Sequence, residues 1–117
     1  MLEGKDIIFR HYSDVKTATT SHGVGVKKIL ASEVDIGEPI TQIARTILFK
    51  GEQVALHTHP TMDEHFLFLK GLCVVTVGDG IIRCSDDDYL FIPAGIPHQL
   101  DVLSETELIT IGVAYDK

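Results

Sequence analysis

Basic residues are scarce in this sequence, and they do not cluster. The 117 residues include 10 Lys and Arg against 17 Asp and Glu, which gives a formal net charge of −7. Proteins bind nucleic acids and anionic membranes through clustered Lys and Arg that neutralise phosphates or lipid head groups. The acidic balance therefore predicts no nucleic-acid partner and no membrane partner.

Long apolar runs are also absent. A membrane-spanning helix needs about 18 or more consecutive apolar residues, and no stretch of the chain reaches that length. The first residues, MLEGKDIIFRHYSD, lack the charged and then apolar layout of a secretory signal peptide. These two absences predict a cytoplasmic location.

Cysteine occurs only twice, at Cys73 and Cys84, on either side of an expected hairpin. A loop formed by residues 78–80 places Val74 opposite Cys84, which leaves Cys73 diagonal to Cys84 and on the other face of the sheet. A disulfide requires both sulfur atoms within bonding reach, so a bridge is the less favoured alternative. Reduced, partly buried thiols also agree with a cytosolic protein.

The apolar spacing typical of helices is almost absent, and short runs rich in Val, Ile, Leu and Phe recur between Gly, Pro and Asp. This pattern predicts one all-β domain over residues 1–117. The expected strands lie near residues 7–10, 24–31, 40–49, 53–58, 63–70, 72–77, 80–84, 88–92, 98–103 and 106–115. Closure into a barrel removes the exposed edges of so many apolar strands, and a jelly roll fits. Residues 11–23 are polar, so the N-terminal segment 1–23 is expected to include a loop or an arm that crosses to a neighbouring subunit.

The candidate site lies in GEQVALHTHPTMDEHFLFLKG, residues 51–71. Residues two apart on a strand point to the same face, roughly 6 to 7 Å apart, so His57 and His59 project together. Pro60 ends the strand, and the following turn brings Glu64 back beside the two imidazoles. Buried ionisable groups are costly unless they are paired or bound to a metal, and a divalent cation explains all three. The alternative is that the two histidines are solvent-facing strand residues.

A fourth donor is expected from His98 in PAGIPHQL, where two prolines and a glycine form a rigid turn that ends at the head of a strand. His98 is placed to complete a set of three imidazoles and one carboxylate. Such a set suits zinc, iron, manganese, nickel or cobalt, and nothing in the sequence selects among these ions.

The stretch at residues 51–71 resembles the first motif of the cupin family. Every fixed position of that motif is matched, at Gly51, His57, His59, Glu64 and Gly71. The stretch at residues 87–102 resembles the second cupin motif and matches it at Pro93, Gly95 and His98.

Two positions depart from the second cupin motif. Asp87 stands where the family has Gly, and Val102 stands where it has Asn. Asp tolerates the left-handed turn conformation better than most residues, and the Asn is not a metal ligand. Both departures therefore leave the expected site intact.

The resemblance implies a double-stranded β-helix, the jelly-roll barrel of cupins, with a divalent metal ion held by His57, His59, Glu64 and His98. It implies that one or two coordination positions stay open for water or ligand. It also favours a homodimer, since small cupins commonly pair through sheet packing and exchanged N-terminal strands, and a monomer with this many short apolar strands can hardly cover all its faces.

Cupins include dioxygenases, isomerases, lyases, decarboxylases, sugar-binding regulators and seed storage proteins, so the fold does not name the reaction. One hypothesis is a metalloenzyme of oxygenase, isomerase or lyase type that acts on a small metal-chelating metabolite. The other is a non-catalytic module that binds a small ligand or acts in regulation. The whole chain is expected to form the barrel, and this modestly favours the enzyme hypothesis. No general base is identified besides the metal ligands.

Phe66 and Phe68 share the strand face that carries Glu64. They are expected either to fill the core or to line a pocket. The metal is then expected at the end of an apolar cavity in which the ion is the only strong polar anchor. Such a cavity suits a small ligand with two adjacent oxygens and an apolar body.

Several other polar residues have simpler interpretations. His65 has the wrong parity for the site and is expected on the outer face or in an interface. His11 and His22 are expected on the surface, unless an arm carries one of them to a neighbour's site. Arg45 is expected to pair with an acidic residue across the sheet, with a ligand clamp as the alternative, and the run at 86–88 is expected to be a solvated turn rather than a calcium loop.

Overall fold

The computed structural model describes residues 8–36 and 39–114. The strands are β1 (Thr17–Thr19), β2 (Val26–Ser32), β3 (Ile40–Leu48), β4 (Gln53–His57), β5 (Met62–Val77), β6 (Gly80–Ser85), β7 (Tyr89–Ile92) and β8 (His98–Ala114). Helical structure is limited to one 3-10 turn, Tyr12–Asp14, and one short helix, α1 (Glu33–Ile36). No helix among the described residues is long and apolar enough to cross a membrane. The predicted all-β jelly roll is confirmed.

Strands β5 and β8 run through both halves of the barrel. They pair antiparallel along almost their whole length, from Met62 opposite Ala114 to Val77 opposite His98. The other edge of β8 pairs with β3 and β4, and the other edge of β5 pairs with β7 and β6. Strands β1, β2, β3 and β7 therefore extend one half, and β4 and β6 extend the other. The halves close on a common core that includes Phe68, Val75, Ile92 and Leu108.

The sequence pattern predicts two shorter strands in place of each long strand, and this prediction is wrong. Strand β5 bends at Gly71, whose φ is 116°, and its register against β8 shifts between Phe68 and Cys73. A Cβ at Gly71 would lie 2.5 Å from Thr106 Oγ1, so the bend packs directly on β8. Strand β5 continues to pair with β8 through the bend. Apolar patterning alone does not reveal that one strand continues across such a break.

The N-terminal segment differs from its prediction. Residues 8–10 form no strand, and Phe9 is 76% exposed; residue 7 of the predicted strand lies outside the described ranges. Strand β1, which the sequence pattern did not reveal, pairs with β2. Arg10 Nη1 donates a hydrogen bond to the Leu30 carbonyl at 2.7 Å. The described part of this segment therefore contacts its own chain at Leu30, and an arm that crosses to a neighbouring subunit stays a prediction.

The hairpin between β5 and β6 corrects the predicted placement of the two cysteines. Its loop has two residues rather than three and begins at Gly78, whose φ of 55° favours glycine. Val77 therefore pairs with Gly80, and Cys73 pairs directly with Cys84. A shift of one residue moves a side chain to the other face of a sheet. Both cysteines consequently lie on the buried face, as free thiols.

We expect both thiols to react slowly in the native protein. Burial, together with the charge of Asp88 and the neighbouring Cys73, raises the pKa of Cys84 to about 11, and burial also raises the pKa of Cys73. At pH 8 the thiolate fraction of Cys84 is then lower than that of a free cysteine by a factor on the order of 100. Iodoacetamide labelling followed by mass spectrometry should be slow in buffer and fast in urea. Equal rates would contradict the buried pair.

The raised pKa of Cys84 also affects the stability of the protein at high pH. The folded protein resists ionisation of Cys84 and the unfolded chain does not. The free energy of unfolding should therefore fall as pH rises from about 9 towards 11.

Candidate metal centre

The four predicted donors come together at the ends of three strands. His57 ends β4 and His98 begins β8, and the two residues are paired neighbours across these strands. His59 follows two residues after β4, and Glu64 lies near the start of β5. The loop between β4 and β5 returns the chain so that the carboxylate faces the imidazoles, as the spacing predicts.

The donor atoms lie close enough to share one ion. One ligand atom from each of the four residues lies within 4.8 Å of the others. Glu64 Oε1 lies 3.1 Å from His98 Nε2 and 3.4 Å from His59 Nε2. His98 is 2% exposed, so the cluster reaches into the barrel interior. Three imidazoles and one carboxylate at this spacing can hold a divalent transition-metal ion.

Backbone carbonyls orient two of the rings. His57 Nδ1 lies 2.8 Å from the Ala55 carbonyl, and His98 Nδ1 lies 2.9 Å from the Ile96 carbonyl. A carbonyl oxygen only accepts hydrogen bonds, so each Nδ1 carries the hydrogen and donates it. The Nε2 atom of each neutral ring therefore presents a lone pair, and this is the arrangement by which metal-binding histidines are usually positioned.

Three buried polar atoms of the cluster have no hydrogen-bond partner among the described residues: His59 Nε2, Glu64 Oε1 and His98 Nε2. With the hydrogen of His98 on Nδ1, its Nε2 and the carboxylate oxygen are two acceptors held 3.1 Å apart. Such an approach is unfavourable unless a proton or a cation lies between the acceptors. The donor set therefore fits a bound cation.

The electrostatics of the cluster keep the carboxylate charged. Burial tends to raise the pKa of Glu64, but the close imidazoles of His98, His59 and His57 outweigh it, so the pKa lies below its usual value. Burial lowers the pKa of His57. Burial also opposes protonation of His98, yet Glu64 and the Ile96 carbonyl together raise its pKa. The metal-free cluster thus holds an anionic Glu64 against its histidines.

His22 is exposed, as the sequence analysis expects, but its ring also lies against this cluster. Its ring centroid is 4.2 Å from that of His57 and 6.2 Å from that of His59. Burial and the two neighbouring histidines lower its pKa. No spacing rule links position 22 to position 57, so only the folded chain reveals this neighbour.

The loop between β1 and β2 holds His22 in place. Thr20 Oγ1 donates to the Val24 carbonyl at 2.5 Å, and Gly25 N donates to Glu52 Oε2 at 3.2 Å. Gly25 has φ of 69°, and a Cβ there would lie 2.3 Å from the Ile47 carbonyl oxygen. The loop is therefore fixed on the barrel at the mouth of the site.

A cavity of about 140 Å³ opens beside the four donors. Its apolar wall consists of Leu48, Val54, Met62, Phe66, Leu100 and Leu108. Phe68, predicted as a pocket wall or a core residue, is 1% exposed and belongs to the core cluster rather than to the cavity lining. Of these two inward-facing residues of β5, Phe66 lines the cavity and Phe68 lies in the core.

The expectation that the ion is the only strong polar anchor is wrong. The cavity is also lined by polar groups at Lys27, Gln42, Thr46 and Thr110. The apolar patterning of β2, β3 and β8 does not reveal these groups, because isolated inward polar residues leave most of the alternation of a strand unchanged.

The remaining predicted residues lie away from the donors. His65 is on the outer face of β5, where its Nδ1 lies 2.6 Å from the Tyr89 hydroxyl. Arg45 forms an ion pair with Glu107 of the neighbouring strand, which confirms the across-sheet pairing. His11 precedes the 3-10 turn and contacts Phe9.

The turn at residues 86–88 explains the departure at Asp87. Asp87 is the only non-glycine residue with positive φ among those described, at 67°, so Asp takes the left-handed conformation expected of the family's Gly. Asp86 Oδ1 accepts a hydrogen bond from Gly71 N at 2.8 Å, and Asp88 Oδ2 accepts one from Ser85 N at 2.7 Å. The three exposed aspartates therefore form a turn rather than an ion site.

Comparison with known proteins identifies the family. A family model described as the cupin domain matches residues 45–113. An uncharacterized protein of Methanocaldococcus jannaschii is 24% identical over 109 residues, which cover 93% of this chain and 86% of that protein. The xanthan biosynthesis protein XanB of Xanthomonas campestris is 26% identical over 93 residues, and the match covers 75% of this chain but only 20% of XanB.

Solved structures agree with the fold. A predicted oxalate decarboxylase from Thermotoga maritima has a TM-score of 0.79 at 18% identity, covering 92% of this chain and 99% of that one. Ectoine synthase from P. lautus has a TM-score of 0.81 at 14% identity, covering 95% and 80%. KdgF from Halomonas sp. has a TM-score of 0.77 at 16% identity, covering 96% of each chain. At sequence identities this low, the structural similarity establishes only the fold.

Proposed function

We propose that this chain, which belongs to the cupin family, binds one divalent metal ion and is a metalloenzyme of oxygenase, isomerase or lyase type that acts on a small metal-chelating metabolite. The observation that carries the proposal is the group of three buried polar atoms, His59 Nε2, Glu64 Oε1 and His98 Nε2, which lie close together and have no hydrogen-bond partner among the described residues. The ion is zinc, iron, manganese, nickel or cobalt, since this donor set suits each of them.

The residues of the site have two roles. Some hold the metal ion, and others shape the cavity beside it. His57, His59, Glu64 and His98 are the ligands, and the carbonyls that accept from Nδ1 keep two of the rings in the binding tautomer. A divalent ion held there supplies Lewis-acid polarisation of a chelated oxygen. The apolar wall that includes Phe66 excludes water from the ligand. His22, on the loop between β1 and β2, also lines the cavity.

The similar proteins support the three types of activity together and do not select one of them. The similar structures carry names as different as predicted oxalate decarboxylase and ectoine synthase. The alternative, a non-catalytic ligand-binding or regulatory module, uses the same metal and cavity. Turnover is therefore the property that separates the two functions.

Metal analysis followed by activity assays tests the proposal. Elemental analysis of the purified protein should find about one metal ion per chain. The metal found is then used in oxygen-uptake and metabolite-panel assays. Iron with substrate-dependent oxygen uptake supports an oxygenase, whereas tightly held zinc with ligand binding and no turnover supports the binding module. A protein that holds none of the five metals, even after reconstitution, contradicts both.

We also propose that the protein forms a homodimer through one exposed sheet surface. The outer faces of β3, β8, β5 and β7 carry two adjoining rows of mostly apolar side chains, and we call this surface the outer apolar face. One row is Ile43, Ile111, His65 and Phe91, and the next is Arg45, Ile109, Leu67 and Tyr89. Leu67, Tyr89 and Phe91 are exposed. Apolar patches of this kind commonly mark interaction surfaces.

Charge placed on the outer apolar face should break the dimer. Light scattering of the native protein should give about twice the chain mass of 12.9 kDa. Leu67→Glu combined with Phe91→Asp should give a monomer, because two charges would be buried without partners. Ile81→Glu, at an exposed position of the β5–β6 hairpin, serves as the control and should remain dimeric. A native monomer at micromolar concentration would refute the dimer.

A further inference from the structure

One lysine of β2 points into the barrel. Lys27 pairs with Thr46 of β3, and Thr46 is 8% exposed on the inner face of that strand. Lys27 lines the cavity beside the metal donors. Within residues 8–36 and 39–114, no carboxylate lies within ion-pair distance of its ammonium group. A partly buried ammonium group without a carboxylate partner attracts an anion that enters the cavity.

Gln42 adds hydrogen-bond donors beside the ammonium group of Lys27. Lys27 Nζ donates to Gln42 Oε1 at 3.3 Å, and both side chains line the cavity. An ammonium group only donates, so the amide oxygen must face it and the amide NH₂ points elsewhere. The ammonium retains two further hydrogens, and the Thr46 hydroxyl lies on the same face. This end of the cavity therefore offers several donors and a positive charge.

The charge balance of the cavity favours an anion. A divalent ion held by neutral histidines and one carboxylate leaves a net positive charge at the donor end, and Lys27 adds a second positive group. The chain as a whole carries a formal charge of −7. A positive interior in an acidic protein attracts an anion locally, while the surface does not.

We propose that Lys27 and Gln42 form a carboxylate subsite, so that the ligand is a small acid with chelating oxygens at one end and a second carboxylate at the other. This inference rests on the proposed function, because the chelating end is taken to bind the metal ion. Lys27 is then a specificity-determining residue: the metal orients the ligand, and the ammonium group selects ligands with two acidic ends over those with one.

Matched acids test the subsite in the metal-loaded protein. Lactate and malate share a hydroxy-acid chelating group, and pyruvate and 2-oxoglutarate share an oxo-acid group, but only the second member of each pair carries another carboxylate. Isothermal titration should show at least one diacid binding roughly 10- to 100-fold more tightly than its monoacid, the range expected of a hydrogen-bonded charge. Lys27→Met should remove that preference and leave monoacid affinity and metal content unchanged.

Two further variants make the test specific. Gln42→Glu places a carboxylate beside Lys27 and should also abolish the diacid preference by occupying the subsite. Lys28→Met is the matched control, because Lys28 is the next residue of β2 but packs outward on the Tyr12 ring, 4.4 Å from its centroid. Lys28→Met should bind both acids as the native protein does.

The outcomes separate the subsite from the metal function. Monoacids and diacids that bind equally well in the native protein, but only with metal present, would overturn the subsite and leave the proposed function intact. A diacid preference that survives Lys27→Met would also overturn it. Acids that bind equally to metal-loaded and metal-stripped protein, or to neither, would overturn the metal-chelating function and the subsite together.

Discussion

His59→Ala should remove almost all bound metal, and His98→Ala should do the same. Either change deletes one of four donors and leaves the Glu64 carboxylate in a buried site without its full counter-charge. Loss of an outer partner of a ligand already costs about 10- to 100-fold in metal affinity, so loss of a ligand should cost at least about 100-fold. Elemental analysis and competition with a chromophoric chelator measure the change.

Two other histidines provide controls for this experiment. His65→Ala should keep its metal, since His65 lies on the outer face with the Tyr89 hydroxyl. His22→Ala should also keep its metal, because its ring lies beside His57 but outside the group of donor atoms that share one centre. An empty His65 variant together with a full His59 variant would show that the assigned strand faces are wrong.

Removal of the metal should lower the melting temperature by roughly 12 to 20 °C. Metal at about 1,000 times its Kd stabilises the native state by about 4 kcal/mol, and 1 kcal/mol moves the Tm of a domain of this size by roughly 3 to 5 °C. The stripped protein also keeps Glu64 Oε1 and His98 Nε2 facing each other at 3.1 Å. Differential scanning calorimetry with and without a strong chelator, followed by dialysis, measures the shift.

A ligand that binds through the metal should act only on the loaded form. A small chelating carboxylate or diol should raise the Tm of the metal-loaded protein and leave that of the stripped protein unchanged, as mass action requires. Re-addition of metal should restore both the Tm and the response. Equal shifts in the two forms would show that ligand binding does not involve the metal, and the enzyme proposal would lose its main support.

Local patterns in the sequence were sufficient for three members of the cluster and for the fold class, whereas His98 was assigned with the help of the cupin motif. Alternation along an extended segment predicts that His57 and His59 share a face, and their imidazoles do lie together, although β4 ends at His57 and His59 lies in the following loop. A short turn then returns Glu64 beside them. The left-handed conformation at Asp87 is likewise a local property, which the departure from the family's Gly already indicated. These inferences hold because they depend on a few consecutive residues.

The tertiary structure alone decided the features that depend on long-range pairing. The loop at Gly78 is one residue shorter than its sequence suggests, and this single shift brings Cys73 and Cys84 to the same face. His22 reaches the site because β1 and β2 hold its loop on the barrel, and Lys27 enters the cavity because it pairs with Thr46. Residues far apart in sequence meet through strand register, which local apolar patterning does not specify. The four clustered side chains could therefore be predicted from the sequence, whereas the polar groups that line the cavity beside them required the fold.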